Sequence, residues 1–467
     1  MAERMQKFVS VGQKWPDKRP ATERAGDFHE IYREFIAEKA AVQAARCAQC
    51  GVPFCQSGCP LQNNIPDWLK LTAEGRLQEA YEASAATNPM PEICGRICPQ
   101  DRLCEGACVI EQSGHGAVTI GAVEKYLTDN AWREGWVAPI KPLAERRESV
   151  GIVGAGPAGL AAAERMRLRG YRVTVYDRHD RIGGLLIYGI PSFKLEKEVV
   201  QRRAQRLIDG GVTFELNCDV GETVSFEDLR ARHDAVLIAA GVYKPRPLTA
   251  PHDQSVVAAL DYLIASNRVG LGDDVPDFAS GRLDAKGRRV VVIGGGDTAM
   301  DCVRTARRQG AKSVTCLYRR DRANMPGSQR EVGHAEEEGV GFDWLAAPKS
   351  VSKGAVRAAR MHLGAPDASG RRSPEEAPDG AYEAPADLVI AALGFDAEDF
   401  SGWGVAATRW GTIEVNPLTF ATSQPGVFAA GDIVRGASLV VWAIREGRDA
   451  ADAMHAWIQE QARVAAE

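Results

Sequence analysis

Eight of the eleven cysteines lie before residue 109, in two runs: Cys47-x2-Cys50-x4-Cys55-x3-Cys59 and Cys94-x3-Cys98-x5-Cys104-x3-Cys108. Thiolate is a soft ligand, and proline directly follows Cys59 and Cys98, as it often follows a ligand in ferredoxin-type loops. Eight thiolates would serve two 4Fe-4S cubanes at four ligands each, so one-electron traffic is the chemistry to expect here. Two competing readings remain open at this point. Disulfides need an oxidising compartment, and Met1-Ala2-Glu3-Arg4-Met5 offers no apolar region for export. Structural zinc uses two CxxC knuckles or Cys/His pairs, whereas only Cys47/Cys50 has that spacing and His115 lies outside both runs.

Farther on, glycines are spaced for phosphate. Gly154-Ala155-Gly156-Pro157-Ala158-Gly159 is a full G-x-G-x-x-G between the strand-like run Ser149–Val153 and the helical run Leu160–Arg169. The next strand ends in Asp177, about twenty residues on, where a ribose hydroxyl is held in such units. Gly294-Gly295-Gly296-Asp297-Thr298-Ala299 is a second, G-x-G-x-x-A turn, and its following strand ends in Tyr318-Arg319-Arg320. Glycines let a pyrophosphate approach the backbone at the positive end of the next helix. A guanidinium in place of the carboxylate suits a 2′-phosphate, so the first unit is read as an FAD site and the second as an NADPH site. The plainer alternatives are tight strand-to-helix turns, and a solvated basic turn for Arg319, Arg320 and Arg322.

The elements that must position these residues follow from pattern. Residues 1–145 are helical in pattern, with stretches such as Asp27–Phe35 and Ile65–Leu71 broken by cysteine loops, and strand-like runs are absent there. A Pro- and charge-rich linker, Pro139 to Glu148, leads into the first βα unit. Ala235–Gly241 and Asp387–Phe395 are matching buried strands that close the two Rossmann halves. Gly426–Asp432 is a strand ending in Gly431-Asp432, followed by a helical stretch from Val440 to Gln461, which lets Asp432 reach the ribityl chain of a flavin. The expected fold is α/β: two Rossmann-like dinucleotide-binding domains in a glutathione-reductase-like FAD/NAD(P) arrangement, preceded by an α-helical domain with two 4Fe-4S clusters. Its limits are 1–145 for the iron–sulfur domain, 146–250 with 405–467 for the FAD domain, and 251–404 for the NADPH domain.

Composition agrees with that size. The 467 residues are enough for about three domains at ~150 residues each. With 45% hydrophobic residues, 47 Gly and a net charge of −5, a soluble glycine-rich protein is expected. No apolar run approaches the ~18 residues of a membrane span, and the mild acidity gives no footprint for nucleic acid. A reducing cytoplasm is the expected location. Cys218, Cys302 and Cys316 are isolated and read as small buried hydrophobes, and the histidines form no triad or metal spacing.

Taken together, the cysteine runs, the linker, Val153–Leu160, Gly183–Pro191, Gly294–Met300, Tyr318-Arg319-Arg320 and Ala430-Gly431-Asp432 resemble the small (beta) subunits of bacterial NADPH-dependent glutamate synthases. The resemblance covers essentially the whole chain, and the same module resembles the N-terminal half of dihydropyrimidine dehydrogenase. It implies an electron-input module: a hydride passes from NADPH to FAD, and single electrons leave through two clusters. The partner it implies is the large (alpha) subunit, which makes L-glutamate from L-glutamine and 2-oxoglutarate in a hetero-oligomer. The alternative is an NAD(P)H:acceptor oxidoreductase subunit serving another flavoprotein or a ferredoxin.

The same resemblance implies FAD contacts at Gly154, Gly156, Pro157, Ala158, Gly159, Asp177, Arg178, Gly184, Leu185, Gly241, Gly431 and Asp432. It implies NADP contacts at Gly294, Gly296, Asp297, Thr298, Ala299, Arg319 and Arg320. It also interleaves the clusters, with Cys47, Cys50, Cys55 and Cys108 on one and Cys59, Cys98, Cys104 and Glu124 on the other. Cys94 is the alternative to Glu124, since cysteine is the usual ligand.

Overall fold

The computed structural model describes residues 3–352, 354–367 and 372–466. Met1, Ala2 and Glu467, which belong to the first and last segments of the sequence reading, lie outside them. Helices Ile65–Ala73, Leu77–Ala85 and Ile120–Arg133 bundle around Trp68, Leu69, Ala80, Val123 and Leu127, all buried, while Pro91–Ile97 turns Ile93 into the core under the first sheet and packs against Ile120–Arg133. In the last helix, Val123, Leu127 and Ala131 recur every four residues and form the buried stripe expected of an amphipathic helix.

Asp27–Phe35, expected to be helical, is irregular, with bends and an isolated bridge between Lys18 and Tyr32. Asp27 accepts the His29 N–H at 3.0 Å and Arg19 Nη1 at 2.8 Å, a local bond that competes with a helical turn. Glu30 accepts Arg96 Nε at 2.6 Å and also bonds Lys125, and Ile31 and Phe35 are buried, so tertiary contacts hold the segment open.

Beyond the linker come β1 (Ser149–Val153), β2 (Arg172–Tyr176), β3 (Thr213–Glu215), β4 (Ala235–Ile238) and a two-residue β5 (Lys244–Pro245). The second set is β6 (Val256–Ala258), β7 (Arg289–Ile293), β8 (Ser313–Tyr318) and β9 (Gly341–Trp344). A meander of β10 (Ala346–Ser352), β11 (Gly354–Pro366) and β12 (Arg372–Ala386) follows, then β13 (Leu388–Ala391), β14 (Phe395–Asp396) and β15 (Val427–Ala429). One five-stranded sheet has the order β15-β4-β1-β2-β3 and the other β6-β13-β7-β8-β9, all pairs parallel. Such sheets are covered on both faces, which is why β1, β4 and β7 read as continuous apolar runs. The duplication read from the glycine turns is therefore a duplication of whole sheets. The antiparallel meander was not foreseen, since β12 is rich in Glu, Ala and Pro and lacks alternation. The antiparallel pair β5 and β14 joins the segments that run between the two sheets.

Candidate functional site

Each glycine turn lies where its backbone must crowd a neighbouring strand. Gly154 has φ +108°, and a Cβ there would stand 2.3 Å from the Ala239 carbonyl oxygen; Gly294 has φ +144° and would meet the Ala392 oxygen at 2.3 Å. Both positions accept only glycine. Gly156 and Gly296 face the opposite way, with nothing within 4 Å of a would-be Cβ, so a ligand has room to reach the backbone. The helices Pro157–Leu168 and Asp297–Arg308 start directly after these turns and aim their free N–H groups at that room.

Both open turns border one cavity of about 510 Å³. Gly154, Gly156, Pro157, Ala158, Asp177, Leu185, Gly241 and Asp432 line it from the first sheet, and Gly296, Asp297 and Thr298 from the second. Cys98 and Gln100 line it from the helical domain. Gly159, Gly184, Gly431, Gly294 and Ala299 lie behind the wall as close-packing residues; Gly184 would place a Cβ 2.9 Å from the Gly156 Cα. Arg178 is turned away, bonding Glu398 at 3.0 Å with its guanidinium 4.6 Å from the centre of the Tyr243 ring. Arg319 is exposed just past β8, and Arg320 beside it is half-buried; both lie outside the cavity wall.

Asp177 is buried and knits the first turn: Oδ2 accepts the Ala155 N–H at 2.7 Å and Oδ1 the His179 N–H at 2.8 Å. Burial pushes the Asp432 carboxyl up to about 6. Sequence reasoning passed over Lys194 and Asp301, whose Nζ and Oδ1 are 2.9 Å apart on the cavity wall. Burial pushes Asp301 up to about 6 despite its lysine. The available signal was spacing: Asp301 stands one helical turn after Asp297 and so shares its face.

The cysteines divide into two groups. Cys47, Cys50, Cys55 and Cys108 line one small pocket. Burial, then the nearness of Cys47 and Cys108, pushes the Cys55 thiol up to about 12. In the second group the bond with Cys94, then burial, raises the Cys98 thiol, and burial raises Cys59 and Cys104, with Glu124 a further contributor to all three, so five donors gather where four would serve. Cys59 is pushed up to about 11 by burial, and Glu124, also buried, up to about 8. Glu124 Oε1 accepts Asn88 Nδ2 at 3.2 Å, Ser84 Oγ at 3.4 Å and Asn63 Nδ2 at 3.4 Å. Soft anionic donors gathered away from water suit a cationic iron–sulfur centre, which stabilises the thiolate form that burial alone disfavours. All eleven cysteines are free; Cys302 and Cys316 are buried as expected, whereas Cys218 is only half-buried. Among the described residues no helix is long and apolar enough to cross a membrane.

Comparison with known proteins agrees with this architecture. The family model described as dihydropyrimidine dehydrogenase domain II, 4Fe-4S cluster, matches residues 24–136, and that of pyridine nucleotide-disulphide oxidoreductase matches residues 148–447. The glutamate synthase (NADPH) small chain of Azospirillum brasilense is 62% identical over 470 residues, 98% of each chain. The protein of that name from Escherichia coli K12 is 46% identical over 477 residues, covering 98% of this chain and 100% of its own. A solved structure of Mycobacterium tuberculosis FprA in complex with NADPH shares the fold, with a TM-score of 0.59 at 21% identity over 68% of this chain and 86% of FprA. An iron–sulfur domain followed by a two-dinucleotide reductase, matched along nearly the whole length by these relatives, makes the chain an NADPH-dependent flavin oxidoreductase with a 4Fe-4S domain, and it belongs to the family of glutamate synthase (NADPH) small chains.

Proposed function

We propose that the chain is the electron-input subunit of an NADPH-dependent glutamate synthase, feeding a large subunit that makes L-glutamate from L-glutamine and 2-oxoglutarate. The observation that carries this reading is the shared cavity, where both glycine turns and the Cys98 loop meet. When bound, FAD accepts a hydride from NADPH and the iron–sulfur centres carry electrons onward singly. The chain's own part is orientation. In this reading Gly154, Gly156, Pro157, Ala158, Gly159, Asp177, Gly184, Leu185, Gly241, Gly431 and Asp432 cradle the flavin nucleotide, and Arg178 acts only by bracing Tyr243. Gly294, Gly296, Asp297, Thr298 and Ala299 receive the pyrophosphate of NADPH, and Arg319 with Arg320 receives its 2′-phosphate.

We assign two 4Fe-4S clusters, one on Cys47, Cys50, Cys55 and Cys108, the other on Cys59, Cys98, Cys104 and Glu124, with Cys94 as the alternative last ligand. Cys98 borders the flavin cavity, which supports the second group as the entry cluster and the first as the exit. Around the exit pocket, Val52, Phe54 and Val109 are exposed apolar side chains, a surface suited to the large subunit. The domain limits given above and a cytoplasmic location belong to the same reading, and the free thiols suit a reducing compartment. An anaerobic titration with NADPH tests it: the flavin band bleaches and cluster signals follow, whereas bleaching with no cluster reduction would contradict the route.

A further inference from the structure

We propose that Arg102, on the loop between Cys98 and Cys104, is the cation that holds the pyrophosphate of NADPH on the second glycine turn, so that the iron–sulfur domain completes the nucleotide site. The proposal rests on the NADPH reading of that turn. Arg102 Nη2 donates to Asp297 Oδ2 at 2.9 Å, and Nη1 bonds the Pro326 carbonyl oxygen. The other Asp297 oxygen, Oδ1, accepts the Ser328 N–H at 2.9 Å. Arg102, Gly296, Asp297 and Thr298 all face the same cavity.

Asp297 is the first residue of its helix and stands beside the open face of Gly296, so its carboxylate faces the place a pyrophosphate must enter. A bare carboxylate there would oppose a dianion, and Arg102 cancels it. A guanidinium has five N–H donors and no acceptor. Two are engaged here, by Asp297 and Pro326, which fix the group while the rest stay available for phosphate oxygens.

A purely structural role accounts poorly for this pair. The Arg102 and Asp297 side chains are 40% and 35% exposed, and ion pairs that open to water contribute little to stability. The two domains are already joined by Arg330, which bonds the buried Glu105 at 2.7 Å and Gln100 at 3.0 Å.

The test is equilibrium dialysis of the oxidised holoprotein with NADP⁺ and with 2′-AMP, which carries the 2′-phosphate but no pyrophosphate. Arg102→Ala, and Arg102→Gln, which keeps a donor for Pro326, should each bind NADP⁺ at least roughly tenfold more weakly, as for loss of one charged hydrogen bond. Binding of 2′-AMP and the flavin and cluster absorbance should stay as in the unaltered protein, and Arg102→Lys should recover part of the NADP⁺ affinity. Unchanged NADP⁺ affinity in both neutral variants would overturn the proposal. So would a loss of 2′-AMP affinity in step with NADP⁺, which marks a general loosening of the domains. Failure of the unaltered protein to bind either ligand would instead remove the NADPH reading of the turn, and this inference with it.

Discussion

Glu124 and Cys94 are joined through a single amide: Asn88 donates Nδ2 to Glu124 Oε1 at 3.2 Å, and the Cys94 thiol donates to Asn88 Oδ1 at 3.7 Å. We propose Glu124 as the last ligand of the second group, with Cys94, which shares that amide, as the alternative.

Iron and flavin analysis of ligand-mutated protein follows from that assignment. The unaltered chain should carry one FAD and about eight irons, by the four-iron content of each cubane. Glu124→Ala and Cys98→Ser should each lower iron by about half, while Cys94→Ser should leave it nearly intact. Loss of a cluster in Cys94→Ser with none in Glu124→Ala reverses the assignment.

Nucleotide choice should depend on Arg319. It is exposed beyond β8 and free to meet a 2′-phosphate, and a charged hydrogen bond contributes about 1.5–3 kcal/mol. Arg319→Ala should weaken NADPH roughly ten- to a hundredfold and leave NADH almost unchanged, measured by ferricyanide reduction. Salt should raise the KM of NADPH more than that of NADH, because exposed charge is screened. Parallel losses for both nucleotides would reduce the arginines to a solvated turn.

The exposed rim of the first thiol pocket gives an association prediction. Val52→Asp places a charge on the apolar face proposed for the large subunit and should weaken its binding by roughly tenfold or more. Ferricyanide reduction by the isolated chain should be unaffected. Sedimentation of the mixture distinguishes the cases, and unaltered association would move the interface elsewhere.

Stability rests in part on Glu338, whose two oxygens accept Arg304 and Arg308 at 2.6 to 3.0 Å, all three side chains fully buried. Although burial opposes the charge, the hydrogen bonds and charges of these arginines hold the carboxyl down to about 2. Its folded pKa is thus below the unfolded value, so its contribution is complete above the normal carboxylate range and is lost as pH falls toward 2. Glu338→Ala should cost about 3–5 kcal/mol at neutral pH, because it strands the buried Arg308 and leaves Arg304 only its bond to Glu331. Denaturant unfolding at pH 7 measures this, and a loss below about 1 kcal/mol, the usual worth of an exposed pair, would contradict it.

How much of this was legible in the sequence varied with the range of the forces involved. The glycine turns were readable because Gly154 and Gly294 meet a carbonyl oxygen at a distance that excludes any side chain. The parallel strands announced themselves by burial on both faces. By contrast, Asp27–Phe35 misled: its local pattern is helical, but Glu30 is drawn out by Arg96 and Lys125, partners far along the chain. The cysteine spacing alone does not group Cys108 with Cys47; that grouping came from family resemblance, and the pocket places the two together. Arg102 could not have been found from sequence, since its tie to Asp297 exists only once two domains meet.

The most direct measurement of the central claim mixes the purified chain anaerobically with the large subunit and follows NADPH oxidation together with glutamate formation. Oxidation that becomes sustained only when L-glutamine and 2-oxoglutarate are both present, with glutamate accumulating in step, is the predicted result. NADPH oxidation that is indifferent to both substrates, or glutamate formation that does not require this chain, would contradict it.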